Sequence, residues 1–308
     1  MALDNYFDEL RDTSRPLVTA NLPRLSGLDR EAEAALRSAW TTIAVERRRE
    51  IVERMLELAE DNVEFDFTAV FGQGLQDPDA TVRHRCVNGL WEADDRAFIP
   101  RLIERMTADS DIGVRAAAAT VLGHYAMLAQ TGKLLRRDSD RIYQALLKTV
   151  ANASEPIEVR RRALESLGVF QVPEVRGWIQ WGYAQGEPAL RQSALFAMGR
   201  SADAAFLPTV IAEMESPAAA MRYEAANAAG EIGEEEAIPH LMRLLRDGDA
   251  QVRHAAVQAL AAIGGPRARK QLRELAMGTD EVLSEAAREA LEALEKTDEG
   301  GFGLSLPR

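Results

Sequence analysis

The stretch DGDAQVRHAAVQALAAIGG, Asp247 to Gly265, has the periodicity of a helix, yet the side that would turn inward is almost all alanine. Projected at about 100° per residue from an inward Val252, the residues Ala256, Ala259, Leu260 and Ile263 share one side, and His254, Gln258 and Ala261 point away. So thin a face buries little by itself. It suits a helix that lies close against another helix, because small side chains let two backbones approach.

The rest of the chain supplies the neighbours. VRHAAVQAL at 252 recurs as MRYEAANAA at 221, LRQSALFAM at 190, VRRRALESL at 159, VRAAAATVL at 114, VRHRCVNGL at 82 and LSEAAREAL at 283. The steps along the chain are 32, 45, 31, 31, 31 and 31 residues. A period in this range marks a solenoid, in which each repeat packs mainly on its neighbours. A second apolar helix, A, precedes each motif helix, B, as EEAIPHLMRLLRD precedes the opening stretch, and QDPDA, DSDIG, SEPIE, QGEPA, ESPAA and DGDAQ part the two. SGLDREAEAALRSAW and VERRREIVERMLELAED form an earlier pair without the motif. About eight antiparallel helix pairs are expected over 28–296, after an N-terminal capping segment (1–27) and before a flexible C-terminal tail (297–308) in which Phe302 and Leu304 are potential anchors. Prolines in TSRPLVTANLPRLSG limit regular structure near the N-terminus, where FDEL supplies one short turn. The long step falls in YAMLAQTGKLLRRDSD, a loop or a helix extension.

The spacing of aspartate and arginine in DPDATVR and DGDAQVR, followed by a small-residue B helix, resembles HEAT repeats, particularly the short bacterial class first associated with phycobiliprotein lyases. The resemblance covers roughly 270 residues. It implies an all-α, armadillo-like, right-handed α-α superhelix with A helices on the convex face and B helices on the concave one. It also implies a structural ladder between neighbouring repeats, with Arg83, Arg115, Arg160, Arg191, Arg222 and Arg253 as donors. Six residues before each stand Asp77, Asp109, Ser154, Gln185, Ser216 and Asp247, all able to accept a hydrogen bond.

Function is expected on the outward columns of the B helices, where His84, Asn88, Trp91, Arg161, Glu165, Gln192, Phe196, Tyr223, Asn227, His254 and Gln258 project. An idle solvated face would be uniformly charged; this one carries aromatic residues, which dominate protein interfaces. A protein or peptide partner is therefore expected along the concave face. Lys133, Arg136, Arg137 and Arg141 form a second candidate patch, for an acidic partner. Gly123, Gly168, Gly199 and Gly230 recur nine residues after the motif start, as glycines that end or bend the B helices.

Chemistry finds less support. The four histidines form no His-Glu dipeptide and no H-x-x-x-H pair, unlike the HEAT-like deoxyhypusine hydroxylases, so neither metal nor cofactor is expected. Cys86 reads as a buried inert thiol. A net charge of −12 opposes nucleic acid, despite Trp178 and Trp181, of which Trp178 projects into the core with Val175 and Ile179. A single cysteine, no signal-like N-terminus and no uninterrupted apolar run of spanning length point to a cytoplasmic setting away from the membrane. The reading is a non-catalytic scaffold. A bilin lyase or a chaperone-like accessory for cofactor attachment, implied by the repeat resemblance alone, is the alternative.

Overall fold

The computed structural model describes residues 2–301, with side-chain surroundings for 5–296; the end of the expected tail, including Phe302 and Leu304, lies outside them. The described residues form helices and short 3-10 segments and no strand. They divide into two compact units, Met1–Ser166 and Leu167–Arg308.

In the first unit, α1 (Ala2–Arg11) and a 3-10 segment (Thr19–Leu25) precede four helix pairs: α2 (Arg30–Trp40) with α3 (Val45–Asp61), α4 (Thr68–Gly74) with α5 (Ala80–Asn88), α6 (Phe98–Ala108) with α7 (Ile112–Gln130), and α8 (Arg136–Ala151) with α9 (Ile157–Leu167). The N-terminus holds far more helix than one turn. Tyr6, Phe7 and Leu10 fall on one helical face and are buried, as are Leu22 and Leu25 despite the intervening Pro23. Helix α1 packs on α2, and the 3-10 segment on α3.

Four more pairs make the second unit: α10 (Pro173–Ala184) with α11 (Pro188–Arg200), α12 (Leu207–Glu213) with α13 (Ala219–Ile232), α14 (Ile238–Leu244) with α15 (Ala250–Ile263), and α16 (Gly265–Ala276) with α17 (Glu281–Gly301). Helix α17 carries the chain helically through the first residues of the segment expected as a tail.

Turn chemistry starts the helices. The carboxylates of Asp29, Asp79, Asp111 and Asp249 accept the backbone N–H groups of Ala32, Val82, Val114 and Val252, caps worth about 1 kcal/mol each. Proline fills the first turn of α10, α11, α12, α14 and α16, where its missing N–H costs nothing.

Within each unit B helices stack on B helices, as α3 on α5 and α5 on α7, or α11 on α13, α13 on α15 and α15 on α17. Helix α15 is thus covered on several sides. Val252, Ala256, Ala259 and Leu260 are buried as projected, and so are Ala255 and Val257, while Ile263 and Ala261 are only half-buried. Helix α7 absorbs part of the long step by running to Gln130, and α8 begins at Arg136. Among the described residues α7 is the one helix long and apolar enough to cross a membrane, but it is packed on α5, α6 and α8 with more than half of its apolar window buried.

Candidate protein-binding face

The B helices are registered by arginine. Arg83 forks onto the Asp109 carboxylate of the next repeat at 2.8 and 2.7 Å and also donates to Asp77 O at 2.8 Å. Arg222 repeats the arrangement, onto Asp247 at 2.7 and 2.8 Å and onto Ser216 O at 2.9 Å. The residue six positions upstream therefore serves through its backbone carbonyl, while its side chain serves the preceding repeat. Asp77 accepts from Arg48 at 2.7 and 3.1 Å and from Trp40 Nε1 at 2.7 Å. Arg48 lies in the first, motif-less pair and was not among the expected rungs.

Where the acid is missing the rung changes. Ser154 has no carboxylate, and Arg115 reaches Glu155 instead, at 2.7 Å. Arg191 turns to Glu213, with its guanidinium over the Tyr183 ring. Arg160 Nε donates to Val150 O at 3.0 Å. Arg253 holds Asp247 O at 2.9 Å, but its buried Nε has no hydrogen-bond partner, for Gly278 stands where the next acid would be.

These contacts set the carboxyl groups. Arg49, which forks onto the Asp79 cap, holds that carboxyl down to about 2. Burial pushes Asp109 up, but its bonds to Arg83 and to the Asp111 amide outweigh burial and leave it below the usual range. Arg222 lowers Asp247 in the same way. Burial pushes the Cys86 thiol well up, consistent with its place beneath Gly74.

The recurring glycines have a role beyond that expected. Gly123 lies well inside α7, whereas Gly199 and Gly230 fall in the last turn of α11 and α13 and Gly168 directly follows α9, near the helix ends as expected. A Cβ on Gly230 would fall 2.8 Å from Ala259 Cα, and one on Gly199 2.7 Å from Ala228 Cα. At Gly168 the distance is 2.9 Å from Ala197 Cα, and at Gly123 it is 2.6 Å from Ser166 Oγ. Each glycine is the point where the next B helix presses its backbone against the last.

This close stacking leaves the outward columns as a surface. In the first unit His84 is half-buried and Asn88 is exposed, and Trp91, in the turn that follows α5 and not on the helix itself, is 51% exposed. The His124 ring lies 6.5 Å from that of Trp91, with its Nε2 3.0 Å from Asp94 Oδ1. Below Trp91 opens a groove of about 550 Å³, to which the end of α3 contributes Leu56, Ala59, Glu60 and Val63. That contribution was not foreseen, because α3 lacks the repeat motif. Arg161 and Glu165, in contrast, close a local ionic cluster with Glu158 and Arg162.

In the second unit Tyr223, His254 and Gln258 are exposed, and Gln192, Phe196 and Asn227 are half-buried. Phe196, Asn227 and Gln258 share a smaller recess of about 240 Å³ with Glu224 and Glu231. Burial raises the Glu231 carboxyl, against the pull of Arg200, which also lies 5.7 Å from the Phe196 ring. Trp178 is not core: it is half-buried and meets Trp181 edge-on at 5.4 Å. Lys133, Arg136, Arg137 and Arg141 are exposed, with Arg136 near Asp140 and Arg137 near Asp138. Among the described residues no three His, Cys, Asp or Glu side chains converge as a metal cluster would.

No curated protein sequence matches the chain significantly. Among solved structures, the complex of CpcE and CpcF of phycocyanin lyase from Nostoc sp. PCC7120 is similar at 19% identity, over 73% of this chain and 86% of that one, with a TM-score of 0.52. YibA of Escherichia coli is 18% identical over 74% and 80% of the two chains, with a TM-score of 0.46. Importin beta is 16% identical over 90% and 44%, with a TM-score of 0.48. The likeness to the lyase complex concerns the fold alone, a helical-repeat solenoid. The HEAT repeats model matches residues 68–151 and 207–292, one stretch in each compact unit and together more than half of the chain, and this protein belongs to the HEAT-repeat family.

Proposed function

We propose that the protein is a non-catalytic interaction scaffold that binds a partner protein or peptide on the outward face of its B helices. The observation that carries this reading is the exposure of large aromatic surface, Trp91 and Tyr223, in columns whose inward neighbours are packed to the density of backbone contact. A monomer gains nothing from exposed indole and phenol rings, whereas an interface gains most from such groups.

A photo-cross-linking amino acid at Tyr223 tests the reading against one at Gln180, an exposed position on the A helix α10. Cross-linking in the source cell is expected to yield one dominant protein adduct from position 223 and none from 180. Adducts from 180 alone would move the interface to the A helices. Bilin handling, the alternative, is supported by fold likeness to the Nostoc lyase complex. The scaffold reading expects no shifted absorption band when the protein is mixed with a bilin; a shifted band would favour the alternative.

A further inference from the structure

The groove beneath Trp91 has a chemical bias of its own. Its floor is apolar: Leu56 and Ala59 are half-buried, and the flanking Val63 and Trp91 are 91% and 51% exposed. Its charged lining is acidic only, since Glu60 and Glu92 face it and no lysine or arginine among the described residues lines it. Arg54 and Arg85 take the neighbouring carboxylates Glu57 and Glu53 of α3, but neither Glu60 nor Glu92 is ion-paired among the described residues. Two unspent carboxylates beside an exposed indole are complementary to cationic groups, which the carboxylates attract and the ring face stacks. The same charges repel nucleic acid and anionic lipid surfaces.

We propose that this groove takes a segment of a partner protein in which one or two bulky apolar side chains are flanked by lysine or arginine. The proposal rests on the reading that the B-helix face binds protein. The apolar side chain enters between Leu56, Ala59 and Trp91, and the flanking cations reach Glu60 and Glu92. The net charge of −12 on the whole chain strengthens the approach of such a segment at low salt.

Fluorescence polarisation with the full chain tests it, using three labelled hexapeptides: KKLFKK, EELFEE and KKGSKK. KKLFKK is expected to bind at least about tenfold more tightly than either of the others, because both the anchor and the charges are required. W91A, a change at an exposed site, should weaken KKLFKK about tenfold. E60Q/E92Q should narrow the gap between KKLFKK and EELFEE while leaving thermal stability unchanged. No binding of KKLFKK, equal or tighter binding of EELFEE, or binding unaffected by W91A each overturns the assignment. If EELFEE binds and W91A abolishes it, the face still binds protein and only the charge class fails; if cross-linking from Tyr223 also finds no partner, the broader reading fails with it.

Discussion

Replacing Gly230 with alanine isolates what the close contact between B helices contributes. In an open helix interior this substitution stabilises, by about 1 kcal/mol, because alanine loses less backbone entropy and has the higher helix propensity. Gly177 offers that reference in the same unit: it is exposed within α10, and a Cβ there would meet nothing within 4 Å. At Gly230 the same methyl would lie 2.8 Å from Ala259 Cα, 3.1 Å from Ala259 Cβ and 3.5 Å from Ala262 Cβ. A backbone carbon cannot rotate aside, so α13 and α15 must part. Overpacking of this kind costs about 1–3 kcal/mol. Because the clash is with backbone, the upper half of that range, about 2–3 kcal/mol, applies; G230A is therefore expected to be destabilised by about 1–2 kcal/mol while G177A gains about 1 kcal/mol, a separation of about 2–3 kcal/mol between two chemically identical changes. Urea unfolding followed by far-UV circular dichroism, with wild type and both variants compared at their midpoints, measures it, since repeat arrays need not unfold in two states. A G230A midpoint at or above that of wild type would refute the reasoning, as would equal effects of the two substitutions.

R222A removes the fork onto Asp247 and the bonds to Ser216 O and Pro217 O, and should lower stability by about 2 kcal/mol in the same assay without altering partner capture. On acidification the depressed carboxyls of Asp79, Asp109 and Asp247 act together. Their folded pKa values lie below the unfolded ones, so their contribution is present above the unfolded value of about 4 and is lost as pH falls through the folded values, about 2 for Asp79. Thermal melts across that range should show the loss, and R222A should show a shallower one. Cys86, fully buried with its thiol pushed up, should react with a disulfide reagent only at the rate of unfolding, which a comparison in and out of urea would reveal.

How much of this was legible in the sequence depends on the range of the interaction involved. The helix pairs were readable because each is decided locally, by an aspartate cap, a first-turn proline and a 3.6-residue apolar period. The fully formed rungs Arg83 to Asp109 and Arg222 to Asp247 were readable too, since both partners recur at fixed offsets in the repeat. The irregular rungs were not: Arg115 finds Glu155 one residue beyond the expected Ser154, and a long flexible guanidinium tolerates that shift where a pattern does not. Arg48 and the α3 wall of the groove escaped notice for a related reason, because the first pair keeps the geometry of the repeat without its motif.

The glycines show why sequence periodicity alone yields only part of a role. A helix C-terminus and a helix-helix contact both favour a residue without a side chain, so recurrence at one repeat position does not separate them. What separates them is the partner, Ala259 for Gly230 and Ala228 for Gly199, each 29 residues further on and itself small. The alanines of the opening stretch and the glycines of the preceding helix are thus two halves of one joint, and a change on either half acts on the other. The tight joint also bears on binding: the buried face of α13 is made largely of Ala225, Ala226, Ala228, Ala229 and Gly230, and the large side chain of Tyr223 stands on the outward side. The placing of Tyr223 is in this sense tied to how closely the helices stack, and a variant that pries the stack apart at Gly230 should weaken partner capture at Tyr223 even though neither Gly230 nor Ala259 would touch the partner.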